Sequence, residues 1–421
     1  MLIRALYTLV LTLAAPLLLF GLYKSKSNKP KFESRWKEHF GFTPPLTSDS
    51  RPLWIHAVSV GECIAAIPLI KSLKERNPEQ TIVVTTTTST GFEQIEKLGD
   101  LVEHRYMPID FAFAVRGFLK AVNPEKMLII ETELWPNTLH AVHSAGVPIT
   151  VVNARLSEKS CQSYAKIQPL FNLLHPCLSK ILCQSQADSD RFARLGINLE
   201  KLEITGSIKF DIQISDEIKQ KGKELREKLG SDRPIWVAAS THKGEDEQVL
   251  AAHSEVLKQH PNALLILVPR HPERFDDVFK LSKSYGFNSV KHTSSEQITT
   301  DAQVYLGDTM GKMLVLMGAA DICFMGGSLL GNKVGGHNIL EPAALGVPII
   351  TGPSYYNFKA ITELLITHNA ALSCDANDLS SHISHLIEQP AVREIMKTNA
   401  LDIVNLNKGS LQKTIAKIIG V

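Results

Sequence analysis

From Pro52 onward the chain alternates short β-branched and aliphatic runs with longer amphipathic stretches, and it does so twice. Parallel strands need a long crossover between them, usually a helix, so this alternation points to parallel α/β sheets. In the first half the strand-like runs are Leu53–Val58, Thr81–Thr86, Val102–Met107, Met127–Glu131, Ile149–Val152, Ile181–Cys183 and Leu202–Ile204. The second half restarts at Ile235–Ala239 and continues through Ala263–Val268, Val304–Leu306, Ile322–Met325, Val347–Ile350 and Ala371–Ser373. A charged, helix-prone stretch ending in the turn Gly230-Ser231-Asp232-Arg233-Pro234 separates the halves and reads as the domain junction. The expected architecture is two Rossmann-like, doubly wound domains facing a cleft, at residues 51–210 and 234–390, joined by a linker at 211–233. Residues 391–421 read as helical, packing back on the first domain. In sheets of this kind ligands bind outside the carboxyl ends of the strands.

Leu2 to Tyr23 is almost wholly apolar, which is the length a helix needs to cross a bilayer (about 20 residues). No small-x-small cleavage site follows it, which favours an uncleaved transmembrane anchor, residues 1–23, over a signal peptide. The juxtamembrane segment 24–50 opens with Lys24, Lys26, Lys29, Lys31, Arg35 and Lys37, a basic flank that belongs on the cytoplasmic side. The reading is a single-pass anchor with everything downstream in the cytoplasm. Its collar is suited to anionic head groups or a phosphorylated lipid.

Over 421 residues the formal net charge is only +2, which argues against a dedicated nucleic-acid binder. The six cysteines form no CxxC pair and sit mostly in apolar runs, so they read as free thiols in a reducing compartment. Neither GxGxxG nor GxxxxGK[ST] is present, and no clustered His/Cys set suggests a metal. Asp188-Ser189-Asp190 looks like a metal-binding DxD but lies on an amphipathic helix, where a solvated surface is the simpler account.

One segment looks built for an anion. Gly326-Gly327-Ser328 and Gly335-Gly336-His337-Asn338 connect the run Ile322–Met325 to a helix ending near Leu345-Gly346. Glycines let backbone N–H groups approach a phosphate, and the helix dipole favours negative charge. Glu341 stands one turn into that helix, within reach of ribose hydroxyls, although Asn338 with Glu341 also fits plain helix capping. Ser240-Thr241-His242 and Pro269-Arg270-His271 follow two further strands and bring phosphate-compatible groups to the same sheet edge.

The first half carries carboxylates at its strand ends. Ser59-Val60-Gly61-Glu62 opens a helix after the first strand, and S-x-x-E is a capping box in its own right. Glu62 there is also placed to act as a general base, though a helix N-terminus tends to depress its pKa. In Glu131-Thr132-Glu133-Leu134-Trp135 the two carboxylates share a face if the chain is extended. Arg155, after the next strand, either holds an acceptor anion or pairs with Glu131 or Glu133.

Seven segments, in this order, resemble the 3-deoxy-D-manno-oct-2-ulosonic acid (Kdo) transferases, membrane-anchored glycosyltransferases of lipopolysaccharide synthesis. They are Arg35–Gly41, His56–Glu62, Glu131–Asn137, Asn153–Ser157, Gly206–Asp211, Pro269–Phe275 and Gly335–Pro342, with Ser207 where such proteins more often carry asparagine. The resemblance covers nearly the whole chain. It implies a GT-B fold, a CMP-Kdo donor on the C-terminal side, and on the N-terminal side a lipid A precursor (lipid IVA) as acceptor. It also implies an inverting reaction at the bacterial inner membrane, with no metal and no cofactor. Glu62 becomes the general base. Glu133, Arg155, Arg35 and Lys37 become acceptor or positioning residues. Lys209, Ser240, Thr241, Arg270, His271, Gly327, Ser328, Asn338 and Glu341 become donor ligands. A GT-B transferase or a sugar-nucleotide epimerase using a different nucleotide sugar is the alternative.

Overall fold

In a computed structural model the described residues are 2–24, 32–48, 50–294 and 298–420; Lys26, Lys29 and Lys31 of the basic collar lie outside them. The chain divides into two compact units, residues 1–211 with 408–421, and residues 212–407. Each unit is built on a seven-stranded sheet whose strand pairs are all parallel.

The first unit holds β1 (Leu53–His56), β2 (Ile82–Thr86), β3 (Glu103–Tyr106), β4 (Lys126–Ile130), β5 (Ile149–Ala154), β6 (Lys180–Cys183) and β7 (Leu202–Ile204), in the order β3-β2-β1-β4-β5-β6-β7. Winding proceeds outward from β1 in one direction and from β4 in the other, so the switch point lies where Leu53 pairs with Ile82 on one side and Lys126 on the other. Central strands are buried on both faces, which is why they read as continuous apolar runs. Trp54 fills one face beside Phe118, its indole N–H donating to Thr85 Oγ1 at 2.8 Å; Ile55, Leu69 and Ile415 pack the other.

The second unit holds β8 (Ile235–Thr241), β9 (Leu264–Pro269), β10 (Ser289–Lys291), β11 (Val304–Leu306), β12 (Ile322–Met325), β13 (Ile349–Thr351) and β14 (Ala371–Ser373), in the order β10-β11-β9-β8-β12-β13-β14. Its switch point lies between β8 and β12. Strand β10, at the sheet edge, has no counterpart among the expected runs, because its three residues Ser-Val-Lys carry no apolar run.

Residues 211–233 form no loose linker. Asp216–Leu229 is a helix capped by Ser215, its Leu225 and Leu229 lie in the second unit's core, and Arg226 pairs with Asp321 at 2.9 Å. Residues 391–421 are likewise divided: helix Pro390–Asn407 belongs to the second unit and helix Ser410–Ile419 to the first. The return is fixed by Asp211, whose carboxylate accepts from the N–H groups of Gly409 at 2.7 Å and Leu411 at 2.6 Å.

Helix α1 (Leu2–Tyr23) spans 22 residues, contains an 18-residue window of mean hydropathy 2.1 and is the one described helix long and apolar enough to cross a membrane. It runs alongside the first unit. Tyr7 donates to Asp110 at 2.8 Å, Asn137 donates to Thr8 at 3.0 Å, and the Tyr23 hydroxyl lies 2.7 Å from His39 Nδ1.

Candidate active site

At the first switch point the chain leaves β1 and enters helix α2 (Val60–Arg76) through Ser59, whose hydroxyl caps the helix by accepting from the Glu62 N–H at 3.3 Å. Glu62 completes a variant of the capping box. One carboxylate oxygen accepts the Ser59 hydroxyl at 2.9 Å, and the other accepts the Val58 N–H at 2.8 Å, one residue earlier than the usual partner. The carboxylate is held in place but barely reaches solvent, at 7% exposure. Gly61 beside it leaves room: a Cβ there would meet nothing nearer than Ser59 Oγ at 3.8 Å.

The helix dipole does not decide this group's titration, contrary to expectation. Burial outweighs the two hydrogen bonds, and with the charges of Glu133 and Glu131 nearby Glu62 is pushed up to about 7. A carboxylate with that affinity is ionised in good part at neutral pH yet is a far better proton acceptor than a solvated one.

The loop after β4 lies beside the loop after β1, which brings Glu131 and Glu133 into electrical reach of Glu62. The expected alternation of these two residues fails, because Glu131 has φ +61°, a left-handed conformation that ends the extended chain. Its partner is Lys209, with Nζ 2.8 Å from Oε1, rather than Arg155. Lys209, expected at the donor phosphate, is thus joined to this carboxylate cluster in the first unit. Burial, with Glu131 adding, raises the pKa of Glu133. Arg155 is half-buried, and its backbone N–H donates to Thr132 Oγ1 at 3.3 Å while its carbonyl accepts that same hydroxyl, latching the β4 and β5 loops together.

Arg35 is already occupied. Its guanidinium binds Glu38 at 2.7 and 3.1 Å and donates to the His104 carbonyl at 3.0 Å, while stacking over Phe92 and Tyr106. That cage makes it a framework residue and leaves it poorly placed to receive an acceptor anion; Lys37 is exposed.

In the second unit the glycine loop does follow β12, but its amides already hold an anion. Glu245, fully buried, accepts from the N–H groups of Gly327 at 2.7 Å, Ser328 at 2.8 Å, Leu329 at 2.9 Å and His242 at 3.0 Å. This internal carboxylate fills the cradle that the sequence reserved for a phosphate. Gly326 is glycine because the β8 backbone passes too close for a side chain: a Cβ would lie 2.9 Å from the carbonyls of Ala239 and Ser240. Two expected ligands are likewise spent internally. Ser328 donates to the Met325 carbonyl at 2.6 Å and accepts from the Gly352 N–H at 2.8 Å, and Thr241 donates to Asp246 at 2.7 Å. Gly327, Ser328 and Thr241 thus spend these hydrogen bonds within the loop itself.

Other expected site residues gather around them. Arg270 and His271 are exposed at the end of β9, and half-buried Ser240 stands at φ +58° after β8. The His242 and His337 rings stack 5.0 Å apart, with their Nε2 atoms 2.8 Å from each other. Burial, followed by the charges of His242, Arg270 and His271, pushes His337 down to about 3. Arg270 and His271 thus lie within electrical reach of the paired histidines. Asn338 donates to Glu341 at 3.1 Å, and burial raises Glu341 against the pull of Arg270. His242, His337 and Glu245 were not singled out by the sequence. All three sit inside motifs that it displayed, but only the fold separates the histidines at the rim from the carboxylate beneath.

The family described as 3-deoxy-D-manno-octulosonic-acid transferase (kdotransferase) matches residues 34–212, which include Glu62, Glu133, Arg155 and Lys209. The 3-deoxy-D-manno-octulosonic acid transferase of Haemophilus influenzae is 40% identical over 420 residues, covering 97% of this chain and 96% of that protein. The chain belongs to the Kdo transferase family. The paired parallel sheets are GT-B-like, and two solved structures support the fold alone. Anabaena HepE in complex with UDP aligns with a TM-score of 0.56 at 14% identity, over 88% of this chain and 100% of that one. The UDP-GlcNAc 2-epimerase of Neisseria meningitidis bound to UDP-GlcNAc aligns with a TM-score of 0.54 at 14% identity, with the same coverage. An epimerase shares the paired sheets, so sequence kinship rather than fold separates the Kdo transferase reading from that alternative.

Proposed function

We propose that this protein is an inverting, metal-independent glycosyltransferase that moves Kdo from CMP-Kdo to lipid IVA, the lipid A precursor. It works at the cytoplasmic face of the bacterial inner membrane, with α1 as its single-pass anchor. The observation that carries this reading is Glu62, a buried carboxylate pushed up to about 7, held by two hydrogen bonds and flanked by Glu131 and Glu133. Glu62 takes the proton from a primary hydroxyl of the acceptor as that oxygen attacks the anomeric carbon of Kdo. The bond to the CMP phosphate breaks on the opposite face, CMP leaves and the configuration inverts.

The leaving phosphate needs positive charge, which the second unit's cluster supplies. Arg270 and His271 meet it directly, with the paired His242 and His337 rings beside them. Asn338 and Glu341 hold the ribose and the remaining phosphate oxygen. On the acceptor side Glu133 keeps Glu62 basic, and Arg155 with Lys37 faces the acceptor's own phosphates. The basic collar lies against anionic head groups.

The deciding assay is purified full-length protein with CMP-Kdo and lipid IVA in vesicles, products weighed by mass spectrometry. A mass gain of one or more Kdo residues, unaffected by a chelator, is expected. No gain, or a larger thermal shift with UDP than with CMP, would shift the assignment to another nucleotide sugar.

A further inference from the structure

Helix α1 is clamped to the first unit near both ends. Tyr7 and Thr8 reach Asp110 and Asn137 at one end, and Tyr23 reaches His39 at the other. At 1.5 Å per residue these clamps lie roughly 22 Å apart. Between them the helix stands off the domain, leaving a cavity of about 330 Å³. Leu11, Ala15 and Leu19 of α1 line one wall, and Met107, Ile109 and Trp135 line the other.

The single carboxylate in that wall, Asp110, is saturated. It accepts from the N–H groups of Asn137 at 3.1 Å and Thr138 at 2.6 Å, from the Thr138 hydroxyl at 2.7 Å and from Tyr7 at 2.8 Å. The rest of the lining is mostly hydrocarbon, with His39 and Thr87 as its other polar side chains. An apolar void loses dispersion contacts on every side and is stabilised by an apolar guest. The opposite face of α1 is exposed and apolar, with Leu2 at 85%, Leu13 at 75% and Leu17 at 77%, so this helix is suited to lipid. Trp135 in the cavity wall follows Glu133 by two residues, so a chain threaded there emerges beside the carboxylates that surround Glu62.

We infer that the cavity between α1 and the first unit takes one acyl chain of the lipid acceptor, which makes α1 part of the acceptor site as well as an anchor. The inference rests on the acceptor named above. A peptide or a head group would find a wall that is mostly hydrocarbon, with His39 and Thr87 as its few polar side chains besides Asp110.

Two measurements separate this inference from the reading beneath it. In the first, full-length Ala15→Trp and Leu13→Trp are compared in vesicles on the acylated acceptor and on its deacylated disaccharide bisphosphate. Ala15→Trp fills the cavity, whereas Leu13→Trp faces outward and reports any general effect on insertion. Ala15→Trp is expected to raise KM for the acylated acceptor about tenfold relative to Leu13→Trp, the loss that follows from shutting out roughly two methylenes. On the deacylated acceptor the two variants should match. Equal behaviour on both acceptors overturns the cavity assignment.

In the second, acceptor bearing a diazirine on one acyl chain is photolysed in phosphatidylcholine vesicles with the wild-type chain. Cross-links at Leu11, Leu19 or Met107, competed by unlabelled acceptor, are expected. Cross-links confined to Leu13 and Leu17, or competed equally by phosphatidylcholine, overturn it. This readout does not need turnover, so it stands even if the transfer assay fails.

Discussion

Glu245 Oε1 accepts the N–H of Ser328 at 2.8 Å, joining the loop after β8 to the loop after β12 across the second unit's switch point. The same carboxylate collects three more amides, so it organises the glycine loop from beneath. Glu245→Gln keeps the shape but turns an amide group toward amide donors. It is expected to cost about 2–3 kcal/mol of stability, measured by urea denaturation, and to weaken CMP binding in parallel. Wild-type stability would remove Glu245 as the pin of this loop.

Glu62→Gln tests the base directly. The variant should bind CMP like the wild type and lose about 10²–10⁴ in kcat, as expected for a missing general base. Calorimetry of CMP binding with single-turnover kinetics reads both. Unchanged turnover would exclude Glu62 from proton transfer.

Because Glu62 titrates near 7, the acid limb of kcat/KM should fall near neutrality, with activity rising as the carboxylate ionises. Removing a neighbouring negative charge with Glu133→Gln should move that limb to lower pH. A limb that stays in place would assign the titration to another group.

The same shift sets a stability trend. Below pH 4.5 Glu62 is protonated in both the folded and the unfolded chain, and its neutral form is the one the fold tolerates. As pH rises toward 7 the unfolded chain loses this proton first, so stability falls through that window by at most about 3 kcal/mol and then levels. Glu62→Gln should flatten this part of the profile, measured by urea denaturation across pH. A slope equal to the wild type's would exclude Glu62 as its source.

Arg270→Ala should weaken CMP binding about 10- to 100-fold and reduce its salt dependence, with little change in stability, since the side chain is exposed. Isothermal titration at two salt concentrations tests this. An unchanged salt slope would place the phosphate elsewhere.

The sheets were legible because strands such as Ile82–Thr86 and Leu264–Pro269 are buried on both faces and leave unbroken apolar runs. Ser289–Lys291 was not, because an edge strand of three residues carries too little pattern. Glu62 was visible as a capping residue, whereas its high proton affinity arises from burial against loops distant in sequence. The glycine loop was visible as an anion cradle, but nothing local shows that its anion is Glu245. Arg35 looked free because its cage is supplied by Phe92, His104 and Tyr106, which the fold brings from far along the chain.

The chain leaves the first unit at Asp211 and comes home to the same residue, which grips the start of helix Ser410–Ile419. Leu411, Ile415 and Ile418 of that helix close one face of the first sheet's core, the face against which α2, the helix of Glu62, also packs. The first unit is therefore not continuous in sequence. Clipping the last dozen residues would strip the wall behind the base, even though the cut lies as far from Glu62 in sequence as this chain allows.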